Sequence, residues 1–429
     1  MIIFNQEFVL EVENGYGSGE FSSGDTVHIW SNATHGFTVF TNWTDLNNVL
    51  HDNDEWHTTF VMPSEDVSIT GNYTLLDNIS LNYEQIQCVN SIKNVYYAIP
   101  ENHIGVIFLF HGTGGHGSAW FTKIENINFT KDALERNFIV IATDSEETTL
   151  GDLNNDGYLR WLTLPPNVNN NIDIGNVSAL IDTFKNRNVI NNSDPIFALG
   201  MSNGSNFSPS VSYALDFNGT AAYCSKGIPE LYEVSNIPTI FLIAENDNVS
   251  DNAITIENYN LLVQREINTD LYRNISKPLY PERFMRIDDI DYNTSISIFY
   301  EIDSAGFLTD DMLVLGFDNL LQIMLSNESM FPVYNNLSIN LQYGINGQLK
   351  NTLAEHAFFS DYNNNVLDFF ISNSFIVGDV NNDDYVDILD IVIIVNFILN
   401  NEYNSSADLN SDAVIDVLDI VLLVNIILN

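Results

Sequence analysis

The stretch PIFALGMSNGSNFSPSVSYAL, residues 195–215, decides how this chain is read. It opens on an uninterrupted apolar run, which suits a parallel strand covered on both faces. Gly200-Met201-Ser202-Asn203-Gly204 follows, and SNFSPSVSYAL can then continue as a helix. Strand, sharp turn and helix around Gly-x-Ser-x-Gly is the setting of a nucleophile elbow. The small residues on either side of Ser202 leave room for the helix to approach the strand.

Outward from this turn, further apolar runs occur at VIFLF (106–110), FIVIAT (138–143) and TIFLIA (239–244). Helix-like segments such as IGNVSALIDTF alternate with them. This alternation predicts an α/β fold with a doubly wound sheet. Together with the elbow, the pattern resembles the α/β-hydrolases. In that family the chain order is serine, acid, histidine. A serine hydroxyl needs such a base to become a nucleophile. His356 is the only histidine after Ser202 and so takes the base position. In TIFLIAENDNVSD, Asp247 matches the family's acid turn best, with Glu245 and Asp251 as competitors and Ala244 where glycine is usual. The oxyanion needs backbone N–H donors. One is expected from Asn203. The other is expected from Thr113, with Gly114 second, because the His111-Gly112 pair of VIFLFHGTGGHGSAW resembles the family's oxyanion loop. Trp120 and His116 in the same segment are candidate substrate contacts.

RWLTLPPNVNNNIDIGNVSALIDTF (160–184) is similar to the region before the nucleophile in polyhydroxybutyrate depolymerase and feruloyl esterase relatives. Trp161 and Asp173 fill that pattern. The resemblance implies a serine carboxylic ester hydrolase, and polymeric esters as substrates: polyesters, or acyl and feruloyl esters of polysaccharides. The chain departs from these relatives between Asp247 and His356, where residues 265–335 read as a partly helical cap insertion over the active site. The run SINLQYGI (338–345) alternates like a strand.

Two further regions flank this core. Residues 1–75 read as all-β, with short alternating runs such as FVLEV and FTVFTNW between Gly, Asn and Asp turns. ENGYGSGEFSSGDTVHI and TTFVMPSEDVSITGNY resemble an internalin-type B repeat of bacterial surface proteins, which implies a spacer or adhesive unit. Residues 76–92 read as a linker and 93–375 as the catalytic domain. In 376–429, GDVNNDDYVDILDIVIIVNFILN repeats 29 positions later as ADLNSDAVIDVLDIVLLVNIILN. Oxygen ligands at alternate positions, closed by a carboxylate at position 12, are calcium chemistry. The ligand sets are Asp379, Asn381, Asp383, Tyr385, Asp387 and Asp390, then Asp408, Asn410, Asp412, Val414, Asp416 and Asp419, with Tyr385 and Val414 offering carbonyls. The tail resembles a dockerin, which implies a cohesin-like scaffold as partner. Ile388-Leu389 and Val417-Leu418 stand where Ser or Thr often serves partner recognition. A shorter fragment, Asp152, Asn154, Asp156 and Tyr158, begins the same way.

The net charge of −43, from 14 basic and 57 acidic residues, argues against nucleic acid as a partner, because phosphate binding needs clustered Lys and Arg. No apolar run is long enough to span a membrane. The start, MIIFNQEFVLEV, lacks a signal peptide's basic and apolar regions. An extracellular or cell-surface location is therefore expected from the modules alone. No catalytic cofactor is expected, and calcium is expected as a structural ion. Pairing of Cys88 with Cys224 stays open at this stage. A lipase or peptidase of the same fold, or a surface-binding protein with a degenerate hydrolase domain, are the rival readings.

Overall fold

A computed structural model describes residues 6–77, 79–192, 194–374, 378–381, 385–400, 402–410, 412 and 414–428. Its centre is an eight-stranded sheet: β1 (Asn82–Gln87), β2 (Ile92–Ala98), β3 (Gly105–Phe110), β4 (Phe138–Thr143), β5 (Ile196–Met201), β6 (Gly219–Tyr223), β7 (Thr239–Ala244) and β8 (Thr269–Asn274). Their spatial order is 1-2-4-3-5-6-7-8. β2 runs antiparallel to both β1 and β4, whereas β3 to β8 all run parallel to one another. This is the α/β-hydrolase sheet.

The apolar runs become its central strands for a simple reason. β3, β4 and β7 are buried along their whole length, so residues of both parities need apolar side chains. Helices cover both faces: α1 (Ile124–Glu135), α2 (Glu146–Leu150), α3 (Ile172–Asn186), α4 (Asn203–Leu215) and α5 (Asn252–Gln264). One face packs Trp120, Phe129, Phe197 and Phe370, and the other packs Phe108, Trp161, Leu180 and Phe207. Cys224 lies on the first face and Cys88 on the second, and both thiols are free.

Three expectations need correction here. The expected linker 76–92 contains β1, which pairs with β2 from Asn82 to Gln87. The cap begins after residue 274, because Thr269–Asn274 is the sheet's last strand, hydrogen-bonded to β7. That strand escapes a pattern reading because it is a polar edge. The run SINLQYGI belongs to a helix, α8 (Ile339–Thr352), which buries Ile345, Gln348, Leu349 and Thr352. Those positions follow a helical spacing, and packing outweighs the local alternation. With α6 (Tyr292–Ser304) and α7 (Phe317–Ser326), α8 gives the cap its own core around Phe284, Ile298, Phe331 and Leu349. Helix α9 (Asn363–Ser372) returns to the sheet.

The N-terminal module has two small sheets, one of four strands and one of three, closed around Leu10, Ile29, Trp43, Phe60 and Ile69. It packs on the cap and on α1. Trp30 stacks on Tyr280 at 4.4 Å, and Trp56 faces the Arg286 guanidinium at 4.1 Å. Lys131 in α1 donates to the Thr34 carbonyl at 3.2 Å. Glu125 anchors this seam from the catalytic side. It is buried and pairs with Arg286 at 3.1 Å and with Arg283 at 3.5 Å. Burial alone would raise its carboxyl, but the two guanidinium groups bring it down to about 2.

In the tail, α10 (Ile388–Asn400) and α11 (Val417–Leu428) each follow an Asp-rich loop and meet around Ile394, Ala407 and Leu423. Among the described residues, no helix is long and apolar enough to cross a membrane.

Candidate active site

Ser202 stands between β5 and α4 with φ 56° and ψ −116°. A non-glycine residue held there costs on the order of 1–3 kcal/mol, and the surroundings must enforce it. They do so from both sides. A Cβ on Gly200 would lie 2.2 Å from Gly204, and one on Gly204 would lie 2.3 Å from the Phe110 carbonyl. Only glycine permits that crossing of strand and helix. The Ser202 N–H donates to the Tyr223 carbonyl at 2.9 Å, tying the turn to β6.

Ser202 Oγ lies 3.0 Å from His356 Nε2, and His356 Nδ1 lies 2.8 Å from Asp247 Oδ2. These residues come from three separate segments. Asp247 follows β7, and His356 follows the cap's last helix, on a loop joined to the acid turn by Asn246 N–H donating to Ala354 at 2.9 Å. The other Asp247 oxygen accepts from the N–H groups of Val249 and Ser250, both at 2.8 Å. Burial pushes its carboxyl up, but His356 and these two N–H groups hold it below the usual carboxylate range. The competing acids are engaged elsewhere. Glu245 pairs with Arg273 at 3.2 Å, and Asp251 caps α5.

The loop after β3 is held rigidly. His111 is buried, and burial brings its imidazole down to about 4. It is therefore neutral at physiological pH. Its Nε2 accepts from the Ser145 N–H at 3.2 Å, so Nδ1 must carry the proton, and it donates to the Gly112 carbonyl at 2.8 Å. Gly115 N–H donates to the same carbonyl at 3.0 Å. A trans peptide is planar, so a Gly112 carbonyl fixed on one side directs the Thr113 N–H to the opposite side. Gly114 N–H is already used, donating to Leu159 at 2.8 Å. Asn203 is the first residue of α4, where a backbone N–H has no partner within the helix.

A pocket of about 370 Å³ adjoins Asn203, lined by Leu153, Arg160, Trp161, Leu162 and Ile172 among others. Residues 146–173, not the cap, shape it. Trp161 is fixed by its Nε1–H donating to His111 at 2.9 Å and by stacking on Phe207. Asp173 holds the adjoining backbone, accepting from Glu146 and Leu162. Behind it, Glu146 pairs with the fully buried Lys93 at 2.6 Å. Lys93 and Glu146 carried no sequence signal, because a buried ion pair has no local pattern.

Trp120 is a correction. It is wholly buried between Phe129 and Phe358, so it is a core residue and not a substrate contact. His116 is exposed on the turn after the 111–115 loop, its Nδ1 3.8 Å from Asp144.

In the tail, the loop-closing Asp390 and Asp419 are fully buried and accept backbone N–H groups of their own loops. Asp379 and Asp408 are also buried. Asn410 and Asp412, both exposed, each accept a backbone N–H group two residues on along the second loop. The expected ligand Asp383 lies outside the described residues. In the 152–158 fragment, Asp152 and Asn154 accept backbone N–H groups of the turn, and Arg160 pairs with Asp156.

Comparison with known proteins assigns the two flanks. Residues 9–76 match the model of the divergent InlB B-repeat domain, and residues 377–428 match that of the dockerin type I domain. The tail is a dockerin module. No curated protein sequence matches the chain. Among solved structures, a ferulic acid esterase is similar at 9% identity and TM-score 0.37, over 46% of this chain and 90% of that one. The Pyrococcus furiosus esterase Pf2001 is similar at 11% identity and TM-score 0.37, over 47% and 86%. A cold-adapted esterase from an Arctic intertidal metagenomic library gives 14%, TM-score 0.35, 46% and 85%. The fold assignment rests on strand order and connection, not on these distant likenesses.

Proposed function

We propose that the chain is a serine carboxylic ester hydrolase acting through an acyl-enzyme. The single observation that carries this is the unbroken line from Ser202 Oγ through His356 to Asp247, at 3.0 and 2.8 Å. Ser202 attacks the ester carbonyl while His356 Nε2 takes its proton. Asp247 keeps the His356 proton on Nδ1 and stabilises the imidazolium. The N–H groups of Asn203 and Thr113 receive the oxyanion. His356 then returns the proton to the leaving alcohol, and water repeats the sequence on the acyl-enzyme. His116 is the exposed side chain beside this loop available to substrate.

The substrates we infer are polymeric esters: polyesters such as polyhydroxybutyrate, or acyl and feruloyl esters of polysaccharides. The dockerin match supports this reading, because an attached enzyme works best on a substrate that stays in place. It also supports an extracellular or cell-surface site and docking to a cohesin-bearing scaffold. Asp379, Asn381, Asp387 and Asp390, with Asp408, Asn410, Asp412, Asp416 and Asp419, would hold structural calcium, which supplies the positive charge those loops lack. We divide the chain accordingly into a β module, a catalytic domain with its cap, and the dockerin.

The test joins fluorophosphonate labelling to hydrolysis of p-nitrophenyl esters, polyester film and feruloylated polysaccharide. Labelling and turnover that both vanish in Ser202→Ala are expected. A wild-type chain that is neither labelled nor active on any of these esters overturns the proposal.

A further inference from the structure

Behind the His356–Asp247 pair lies a third side chain able to bind a metal. Cys224 follows β6 at φ 51° and is buried, its thiol donating to the Ala357 carbonyl at 3.4 Å. Its sulfur, a carboxylate oxygen of Asp247 and a ring nitrogen of His356 all lie within 4.8 Å of one another. Among the described residues, no other group of three such ligands is this tight. In a tetrahedral zinc site the ligand atoms stand about 3.5 Å apart, so closing on an ion needs shifts of only about 1 Å.

We propose that Cys224, Asp247 and His356 form an inhibitory site for zinc or a similarly borderline-soft divalent cation. This rests on the catalytic reading above. The ion binds the sulfur, a carboxylate oxygen and His356 Nδ1, the atom that otherwise holds a proton toward Asp247. The thiol proton leaves to solvent. The imidazole stays neutral, and its own proton moves from Nδ1 to Nε2. Nε2 then faces Ser202 Oγ as a donor and cannot take the serine proton. Hydrolysis stops until the ion is removed. Only His356 is partly exposed, at 18% of its side chain against 0% for Asp247, so a water from that side completes the coordination. Thiolate with imidazole selects zinc-like ions over calcium and magnesium, which prefer oxygen. The all-oxygen tail loops therefore bind a different class of ion.

The experiment uses the full chain in excess calcium, which saturates the tail. Cobalt(II) is titrated in as a spectroscopic stand-in, followed by zinc. Each variant's p-nitrophenyl acetate hydrolysis is compared with its own rate in chelator. A thiolate-to-cobalt charge-transfer band and the loss of hydrolysis are expected at one shared midpoint, both reversed by chelator. Cys224→Ala should lose the band and raise the midpoint of inhibition at least about tenfold. Cys88→Ala should keep both. No band, a band that survives in Cys224→Ala, or equal inhibition of that variant overturns the proposal. So does a Cys224-dependent band with hydrolysis untouched. Absence of hydrolysis in the metal-free chain overturns the catalytic reading instead, since the band reports the metal site independently.

Discussion

Asp247 and Asp419 are both buried carboxylates that close a loop, and they answer to different charges. Asp247 has its hydrogen-bond donors within the fold: His356 on one oxygen and two backbone N–H groups on the other. Asp419 also accepts backbone N–H groups, but its charged neighbours in the loop are Asp408, Asp412 and Asp416. Residues 378–429 contain no Lys, Arg or His. The partners of Asp247 are thus all part of the chain, whereas no cationic side chain stands among residues 378–429. Like carboxylates at that range repel, so the tail's order is expected to depend on a cation where that of the Asp247 corner is not. The Glu125 seam is an intermediate case, with two guanidinium groups supplied by the cap.

The largest expected effect tests the self-sufficiency of the catalytic corner. Ser202→Ala should lower kcat on p-nitrophenyl esters by about four to six orders of magnitude with an unchanged circular dichroism spectrum. Asp247→Asn should cost about 10⁴-fold, because the wrong histidine tautomer is then favoured. Glu245→Gln should stay within a few-fold of wild type, and a Glu245 defect as large as that of Asp247 would break the assignment.

A smaller loss is expected at His111, which acts through the peptide it fixes. His111→Ala should reduce kcat by about 10–100-fold with little change in KM, since a misdirected Thr113 N–H weakens only oxyanion binding. A rise in KM at constant kcat would place His111 in substrate binding instead.

The seam offers a stability counterpart. Glu125→Gln leaves two buried guanidinium groups without their partner and should cost about 3–5 kcal/mol in denaturant unfolding. The sign with pH follows from its lowered carboxyl. The Glu125 contribution is complete above the ordinary value of 4.5 and is lost as pH falls toward about 2. The difference between wild type and variant should therefore shrink between pH 5 and about 3, and a constant difference would show that the charge is not what matters.

The smallest expected effect sharpens the contrast most. Chelator should lower helicity of the tail while small-ester turnover changes by less than about twofold. Equal helicity with calcium and with chelator would remove the conditional order attributed to the tail. Loss of small-ester activity on deleting residues 378–429 would show that the two regions are not independent.

Much of the candidate site was legible in the sequence because its signals are local or unique. The Gly-x-Ser-x-Gly turn sits between a strand and a helix, and His356 has no competitor after Ser202. The tail repeats itself. Trp120 was misread because a loop tryptophan near a site and a core tryptophan have the same sequence context. Its complete burial against Phe358, far along the chain, could not be read from neighbours. The cap's boundaries and the SINLQYGI helix failed for a related reason: a polar edge strand and a short alternating run carry too little periodicity to overrule tertiary packing.

By itself, the sequence determined the order of the serine, acid and histidine of the candidate site, the glycines that permit the elbow, and the acidic pattern of the tail loops. These follow from residue types at short spacing. Only the tertiary structure decided which carboxylate meets His356, that Gly114 is already committed to Leu159, and that the N-terminal module is packed against the cap rather than set apart. Asp247 and His356 are 109 positions apart, and Ser202 and His356 are 154. Contacts over such separations depend on how the sheet's strands are ordered and where the cap leaves them, which no local pattern encodes.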